Sequence, residues 1–180
     1  ASFLFSSTGT SPVFQWKFNG TDLADGGSIS GANTANLTIS PATLAYNGTV
    51  SCVITGACSA ETSNTVTLTV NEDVQITSHP TNKSACPGDN VLFSVSANGS
   101  SLTYQWQKDG VAIAGETNSG LLLNNVDAAG AGTYRCIVTG ICGTAISNGA
   151  SLTIYEDVTI TAHPIDEIVC EGSSAGFTVT

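Results

Sequence analysis

The chain is organised around a repeated hairpin that carries two cysteines. Residues 48–58 read Gly-Thr-Val-Ser-Cys-Val-Ile-Thr-Gly-Ala-Cys, and residues 132–142 read Gly-Thr-Tyr-Arg-Cys-Ile-Val-Thr-Gly-Ile-Cys. Both cysteines are displaced by the same amount, since 136 − 52 = 84 and 142 − 58 = 84. In each copy two runs of β-favouring residues flank a Thr-Gly pair, which predicts a β-hairpin. A displacement of this size indicates a module of about one small domain, used at least twice.

The same displacement recurs at the start of a module and predicts the boundaries. Residues 74–80, Val-Gln-Ile-Thr-Ser-His-Pro, return as Val-Thr-Ile-Thr-Ala-His-Pro at residues 158–164. We therefore expect a first module over residues 1–72, a complete second module over 73–156, and the first two strands of a third over 157–180. The link between modules is only about three residues, which predicts end-to-end stacking rather than free swinging.

The first module begins inside the second strand of the pattern. Trp16 follows Phe5 by 11 residues, as Trp106 follows Val95, so the first strand of the second module has no earlier counterpart. Residues 157–180 hold a spare first and second strand, and a two-stranded piece is not stable alone. An unpaired sheet edge and an orphan strand favour strand addition, so we expect a swapped or head-to-tail oligomer, or else a frayed C-terminus.

Charge and composition exclude several classes of partner. Charged residues are 10% of the chain, the net charge is −10, and Lys and Arg together number 4. Binding a phosphate backbone requires clustered basic side chains, so we expect no nucleic-acid partner. There is no methionine, even at position 1, and no apolar run long enough to cross a membrane, so we expect an internal fragment of a longer protein that does not insert into a membrane.

A tryptophan on the third strand and a Tyr-x-Cys on the sixth resemble an immunoglobulin-like sandwich of the I-set kind. In the second module these residues are Trp106, Lys108-Asp109-Gly110 and Gly132-Thr-Tyr134-Arg-Cys136. The resemblance implies an all-β chain of tandem sandwiches with Greek-key topology. It also implies a core around Trp16, Trp106 and Tyr134, with Trp106 as its centre in the second module.

The cysteines depart from the usual immunoglobulin pattern. Val95 stands where a cysteine of the second strand is expected, and Phe5 stands there in the first module. Together with the Thr-, Asn- and Gly-rich style, this resembles tandem repeats of large secreted or surface proteins of Bacteroidetes-type bacteria. The resemblance implies a non-catalytic extracellular segment that acts in adhesion or as a spacer. The alternative is a carbohydrate- or calcium-dependent binding module of an extracellular enzyme.

Six cysteines in a chain of extracellular type favour disulfides. A hairpin turning at the Thr-Gly pair would place two cysteines opposite each other in each copy, and the expected bonds are Cys52–Cys58 and Cys136–Cys142. The alternative is that Cys52 and Cys136 are small buried apolar residues. Cys86 and Cys170 are left over, and the hypothesis for them is a bond to the hairpin tip of a following module.

No catalytic motif is present, and no cofactor other than calcium is expected. His79 and His163 occupy equivalent positions before a proline, and recurrence in each module favours a packing role over catalysis. Four acidic residues of the second module are expected at the end that faces the third, where carboxylate oxygens could bind calcium. They are Asp89, Asp127, Glu156 and Asp157. The competing interpretation is a solvated acidic junction.

Overall fold

The computed structural model describes residues 1–4 and 11–180, and Phe5 lies outside them. Contacts within the chain divide it into two compact units, Ala1–Asp73 and Val74–Thr180. In the described residues each unit is built from β-strands with one short 3-10 turn, and no α-helix forms.

The first unit is a sandwich of two sheets. One sheet has the strand order β1-β5-β4, and the other has β3-β2-β6-β7 with β8 also paired to β6. The strands are β1 Ser2–Leu4, β2 Val13–Phe18, β3 Thr21–Asp22, β4 Ile29–Ser30, β5 Asn36–Ile39, β6 Gly48–Thr55, β7 Ala60–Thr62 and β8 Val66–Leu68, with a 3-10 turn at Leu44–Tyr46.

The second unit repeats this plan and adds a strand at its start. Its larger sheet has the order β10-β18-β16-β13-β14 with β17 paired to β16, and the other strands pair as β11-β15 and β12-β9. The strands are β9 Gln75–Ser78, β10 Lys83–Ala85, β11 Val91–Ser94, β12 Ser96–Asn98, β13 Thr103–Lys108, β14 Val111–Ala112, β15 Gly120–Leu123, β16 Gly132–Gly140, β17 Gly143–Ile146 and β18 Ala150–Ile154, with a 3-10 turn at Ala128–Gly130.

The first strand of the second unit changes sheets at its proline. β9 pairs antiparallel with β12, and β10 pairs parallel with β18. His79 and Pro80 lie between the two segments, where proline cannot donate to a ladder and so ends the first pairing. The two segments on either side of Pro80 thus belong to different sheets.

Alternation along the central strands builds the core of each unit. On β16 the side chains of Tyr134, Cys136 and Val138 point inward, and Trp106 on β13 lies opposite Cys136. The indole N–H of Trp106 donates to the carbonyl of Asn118 at 2.9 Å, which satisfies its one polar group inside an apolar core. Trp16 and Cys52 repeat the pair in the first unit.

Three aromatic rings pack together in the core of the second unit. Phe93 of β11 stacks on Tyr134 with ring centroids 5.0 Å apart, and it meets Trp106 at 6.4 Å. Val95, in the place of the expected cysteine, is only 3% exposed. Packing in the cluster that includes Trp106 therefore joins the two sheets where the usual immunoglobulin pattern has a disulfide, and Phe93 and Tyr134 take part in that packing.

Residues 157–180 form no strand in the described structure, and they are exposed throughout. Val158 is 99% exposed, whereas its repeat counterpart Val74 is 8% exposed and packs in the core of the second unit. This segment thus carries the sequence of a first strand without the pairing that β9 and β10 make.

Candidate functional site

The hairpin of each repeat turns later than its Thr-Gly pair. β16 continues through Gly140, which lies opposite Gly143, so Ile141 and Cys142 form the turn. From Cys136 to Gly140 an extended chain covers about 13 Å, whereas a disulfide joins Cα atoms about 6 Å apart. The register therefore does not place the two cysteines opposite each other, contrary to the geometry expected from sequence.

The first unit shows the same separation. Cys52 lies opposite Trp16 on β6 and is fully buried, and Cys58 lies in the exposed turn after Thr55, which pairs with Ala60. The described residues include all six cysteines, and no disulfide forms among them. The structure thus agrees with the alternative interpretation, in which Cys52 and its repeat counterpart serve as small core residues.

A serine side chain accepts the backbone N–H of each core cysteine. The Ser147 hydroxyl accepts the Cys136 N–H at 2.9 Å and donates to the Asn148 carbonyl at 2.9 Å. Ser63 makes both bonds in the first unit, also at 2.9 Å each. Sequence reasoning missed this clasp, although the repeated Ser-Asn pair at the same displacement was a signal for it.

Burial raises the pKa of the thiols of Cys52 and Cys136, and a backbone hydrogen bond lowers each pKa by less. Burial also raises the pKa of the Tyr134 hydroxyl, and the charge of Asp109 adds to that effect. This hydroxyl donates to the Gly130 carbonyl at 2.7 Å, closing a tyrosine corner. All three groups are therefore protonated structural groups near neutral pH rather than activated nucleophiles.

The first unit has no tyrosine at the corner, because Val50 stands there. At this end of the first unit the Asn47 side chain makes two hydrogen bonds with the backbone of Val70. Its Nδ2 donates to the Val70 carbonyl at 3.2 Å, and its Oδ1 accepts the Val70 N–H at 2.5 Å. The two units thus close the same end by different side chains.

His79 has a packing contact, as the repeat predicts. Its Nδ1 accepts the backbone N–H of Asn148 at 3.1 Å, which fixes the segment between β9 and β10 to the connection between β17 and β18. His163 lies in the exposed segment that forms no strand.

The acidic residues expected to bind calcium mostly cap local turns. Asp89 Oδ2 accepts the Cys86 N–H at 2.8 Å, and Asp127 Oδ1 accepts the Gly130 N–H at 3.2 Å. Glu156 and Asp157 are exposed. Within residues 1–4 and 11–180, no three His, Cys, Asp or Glu side chains come close enough together to hold a metal ion.

A cavity of about 400 Å³ opens in the first unit between β1 and the segment that leads into β8. It combines apolar walls with polar groups of one backbone edge, and its lining residues are Ser2, Phe3, Trp16, Val50, Ser63, Asn64 and Val66. We call this cavity the edge groove. The sequence predicts an unpaired sheet edge in the first module but points to no residue of this cavity. A counterpart of β10 is absent from the described residues of the first unit.

The structure contains no helix, in the part of the chain that it describes, that is long and apolar enough to span a membrane. Residues 75–139 match the family model of the immunoglobulin domain. The second module is thus similar to immunoglobulin domains over most of its length.

Two animal proteins are related in sequence. Mouse leucine-rich repeats and immunoglobulin-like domains protein 3 is 31% identical over 121 residues, which are 56% of this chain and 11% of that protein. Human Roundabout homolog 2 is 31% identical over 81 residues, which are 42% of this chain and 6% of that protein. The chain thus spans a small part of these relatives, and they give the expected bacterial origin no support.

Solved structures of tandem immunoglobulin domains resemble the chain. The I-band fragment I67-I69 of titin matches with a TM-score of 0.66 and 22% identity, covering 82% of this chain and 56% of that one. The N-terminal four immunoglobulin domains of Dscam1 isoform 6.9 match with a TM-score of 0.64 and 22% identity, covering 86% and 40%. These likenesses confirm the predicted fold of tandem immunoglobulin-like β-sandwiches.

Proposed function

We propose that this chain is a non-catalytic extracellular segment that acts as a spacer or adhesion element of a larger secreted or cell-surface protein. The observation that carries the proposal is the short link between the two units. Asn47 holds the backbone of Val70, and Val74 is already 8% exposed in the core of the second unit. Only residues 71–73 lie between these two anchored positions, and so short a link leaves two folded modules less freedom than a long flexible linker.

The side chains with catalytic potential support a non-catalytic role. His79 accepts a backbone N–H, and Asp89 and Asp127 each accept one within a turn. The core thiols are buried with raised pKa values. The likeness to multi-domain immunoglobulin arrays supports the same proposal. A bacterial source stays a hypothesis based on the cysteine pattern and composition.

Small-angle X-ray scattering on the 180-residue chain tests the spacer role. The comparison is with a variant that carries a flexible Gly-Ser insertion between Glu72 and Asp73. We expect the insertion to broaden the distribution of interatomic distances and to raise the maximum distance. If the parent chain already shows the broad distribution of the insertion variant, the link imposes no restraint and the spacer role is refuted.

A further inference from the structure

The second unit leaves one edge of its β11–β15 sheet open, and the first unit covers the same edge. In the part of the chain that the structure describes, β11 is the only strand that pairs with β15. The counterpart of β15 in the first unit is β5, which lies between β1 and β4. The covering strand β4 belongs to a longer connection, since 36 residues separate Trp16 from Cys52 whereas 30 separate Trp106 from Cys136. The open edge therefore follows from a shorter connection inside the second unit.

The backbone groups that face this edge follow from the hydrogen bonds of β15 with β11. The Val95 N–H donates to the Ser119 carbonyl at 3.0 Å, and the register of the two strands continues from that bond. In an antiparallel pair, successive residues of a strand point their N–H and C=O groups alternately to one neighbour and to the other. Ser119 and Leu121 therefore point theirs toward β11, whereas Gly120 and Leu122 point theirs toward the open edge. Each of these two residues offers a donor and an acceptor to a further strand.

The first unit shows what such an edge accepts. Thr38 is the counterpart of Leu122, since 122 − 84 = 38, and it pairs antiparallel with Ser30 of β4. In the same register the Ser40 N–H donates to the Ser28 carbonyl at 2.7 Å. The backbone groups of Thr38, two residues away, therefore also point toward β4. An antiparallel extended segment is thus the partner that suits this edge.

The outer face beside the edge is apolar in the second unit and polar in the first. Leu92 of β11 lies opposite Leu122, and the two side chains are 56% and 53% exposed. The first unit has Ser2 opposite Thr38 at these places. No charged residue and no proline lies in β15, although such residues commonly protect an open edge from pairing. The edge of the second unit thus combines available backbone groups with an apolar surface.

We propose that β15 of a second copy of this chain pairs antiparallel with this edge across a twofold axis. The pairing places Gly120 of each copy opposite Leu122 of the other, with Leu121 of both copies at the axis. Gly120 and Leu122 are the residues that point their backbone groups outward, so each such pair exchanges N–H···O=C bonds in both directions. The same patch serves both copies, so the contact closes at a dimer.

Gly120 makes the outer face of this pairing complementary to itself. A Cβ at Gly120 would meet Leu92 Cδ1 at 3.6 Å and the Phe93 carbonyl at 3.7 Å, which are ordinary contact distances, so a side chain would fit there within one copy. In the dimer the missing side chain lets Leu122 of the other copy lie beside Leu92. Leucines of the two copies then bury apolar surface that each copy exposes alone. The counterpart of Gly120 in the first unit is Asn36, whose side chain would fill this place.

Light scattering after size exclusion, in a reducing buffer at high ionic strength, measures the association. The reductant excludes disulfide links through exposed cysteines, and salt screens the repulsion between copies that each carry a net charge of −10. We expect the mass to rise with concentration from the 18.2 kDa of one chain toward twice that value. The mass of one chain at every concentration overturns the proposal and leaves the edge to an extended segment of another protein. A mass that continues to rise beyond a dimer overturns the closed contact.

Two substitutions taken from the first unit separate this pairing from general adhesion of apolar surfaces. Leu122→Thr and Ile146→Thr each install the residue that the first unit carries, at positions that are 53% and 54% exposed. Ile146 lies on β17 in the other sheet, away from the pairing. Leu122→Thr should weaken association by at least about tenfold, because both copies lose apolar contact, and Ile146→Thr by less than about twofold. Equal weakening by both variants overturns the proposal. Both side chains are exposed, and circular dichroism checks that each variant remains folded.

Cross-linking tests the register of the dimer. Paired residues that exchange hydrogen bonds across two antiparallel strands have Cα atoms about 5.5 Å apart, within the range that a disulfide spans. With the four exposed cysteines replaced by serine, a Gly120→Cys copy and a Leu122→Cys copy should therefore cross-link when they are mixed and oxidised. Neither variant should cross-link with itself, because identical residues are offset by two positions and their Cα atoms lie roughly 8 Å apart. No cross-link in the mixture, or equal cross-linking of either variant with itself, overturns the proposed pairing.

Discussion

Replacing Ser147 by alanine should destabilise the second unit strongly. The change removes the acceptor of the Cys136 N–H and the donor to the Asn148 carbonyl, and Ser147 is only 5% exposed. A buried donor without a partner costs about 1–3 kcal/mol, and losing the second bond costs about 1 kcal/mol more. We therefore expect a loss of about 2–4 kcal/mol, which corresponds to about 30- to 850-fold more frequent opening of the unit.

Ser63→Ala is the matched change in the first unit. Ser63 makes the same two bonds, to Cys52 and to the Asn64 carbonyl, but it is half-buried and lines the edge groove. Water can reach the freed N–H there and replace the hydroxyl, so only the net worth of the bonds is lost. We expect about 1 kcal/mol, or about fivefold more frequent opening.

The buried thiols report the opening of each unit separately. Cys52 lies in the first unit and Cys136 in the second, and both are fully buried. Alkylation under native conditions, followed by digestion and mass spectrometry of the two peptides, gives one rate for each unit. When reclosing is faster than alkylation, these rates measure the free energy of opening.

These expectations require that the burial of each serine sets the free energy lost when it is replaced. Equal acceleration of Cys136 by Ser147→Ala and of Cys52 by Ser63→Ala would show that exposure of the serine is irrelevant. Acceleration of Cys136 by less than about threefold would show that its N–H finds another partner. Each substitution also serves as a control for the other, because it should leave the thiol of the other unit unchanged.

Three further outcomes are expected. Tyr134→Phe keeps the aromatic stacking but leaves the Gly130 carbonyl without its donor, so the urea midpoint should fall by the equivalent of about 1 kcal/mol; an unchanged midpoint would contradict a role for the corner. Burial raises the pKa of the Cys52 and Cys136 thiols above about 9, so the stability that these groups contribute is present below that pH and is lost as the pH rises through the pKa values of the folded state. Urea unfolding in reducing buffer should therefore show lower stability at alkaline pH. Replacing both cysteines by alanine should flatten that pH dependence. Millimolar calcium should leave the melting temperature unchanged, because Asp89 is engaged in a turn and no acidic cluster forms in the described residues, whereas an upward shift of several degrees would restore the calcium site.

The internal repeat allowed the fold to be predicted from the sequence, whereas the Thr-Gly pair led to a wrong prediction of where the hairpin turns. The displacement of 84 aligned the two cysteine strands, and counting back from their cysteines aligned the two tryptophans, which are 90 residues apart. Trp16 and Trp106 each lie opposite the cysteine that this alignment assigns to them. A Thr-Gly pair is common in turns, but Gly140 lies in β16, where a Cβ would come within 2.8 Å of the Ser100 carbonyl and 2.9 Å of Val74. The glycine there therefore marks a close approach in the packed unit and not the turn. Tertiary packing thus moved the turn by two residues and separated the cysteines.

The serine clasp could not be predicted from single residues. Ser147 looks like an ordinary surface serine in sequence, and only its burial beside the Cys136 N–H reveals its role. The Ser-Asn pair recurs at the displacement of 84, and comparing the two repeats at these positions would have found the clasp.

Comparing the two units separates the contacts that both repeats share from the contacts that differ between them. The tryptophan indole bond to a carbonyl and the serine clasp are present in both units with the same distances, so they belong to the sandwich itself. The end of the module is closed by Tyr134 in one unit and by Asn47 in the other, so that end tolerates different solutions. What both units share is therefore what holds the two sheets of a module together, whereas the closure of the module end depends on which residue each repeat carries there.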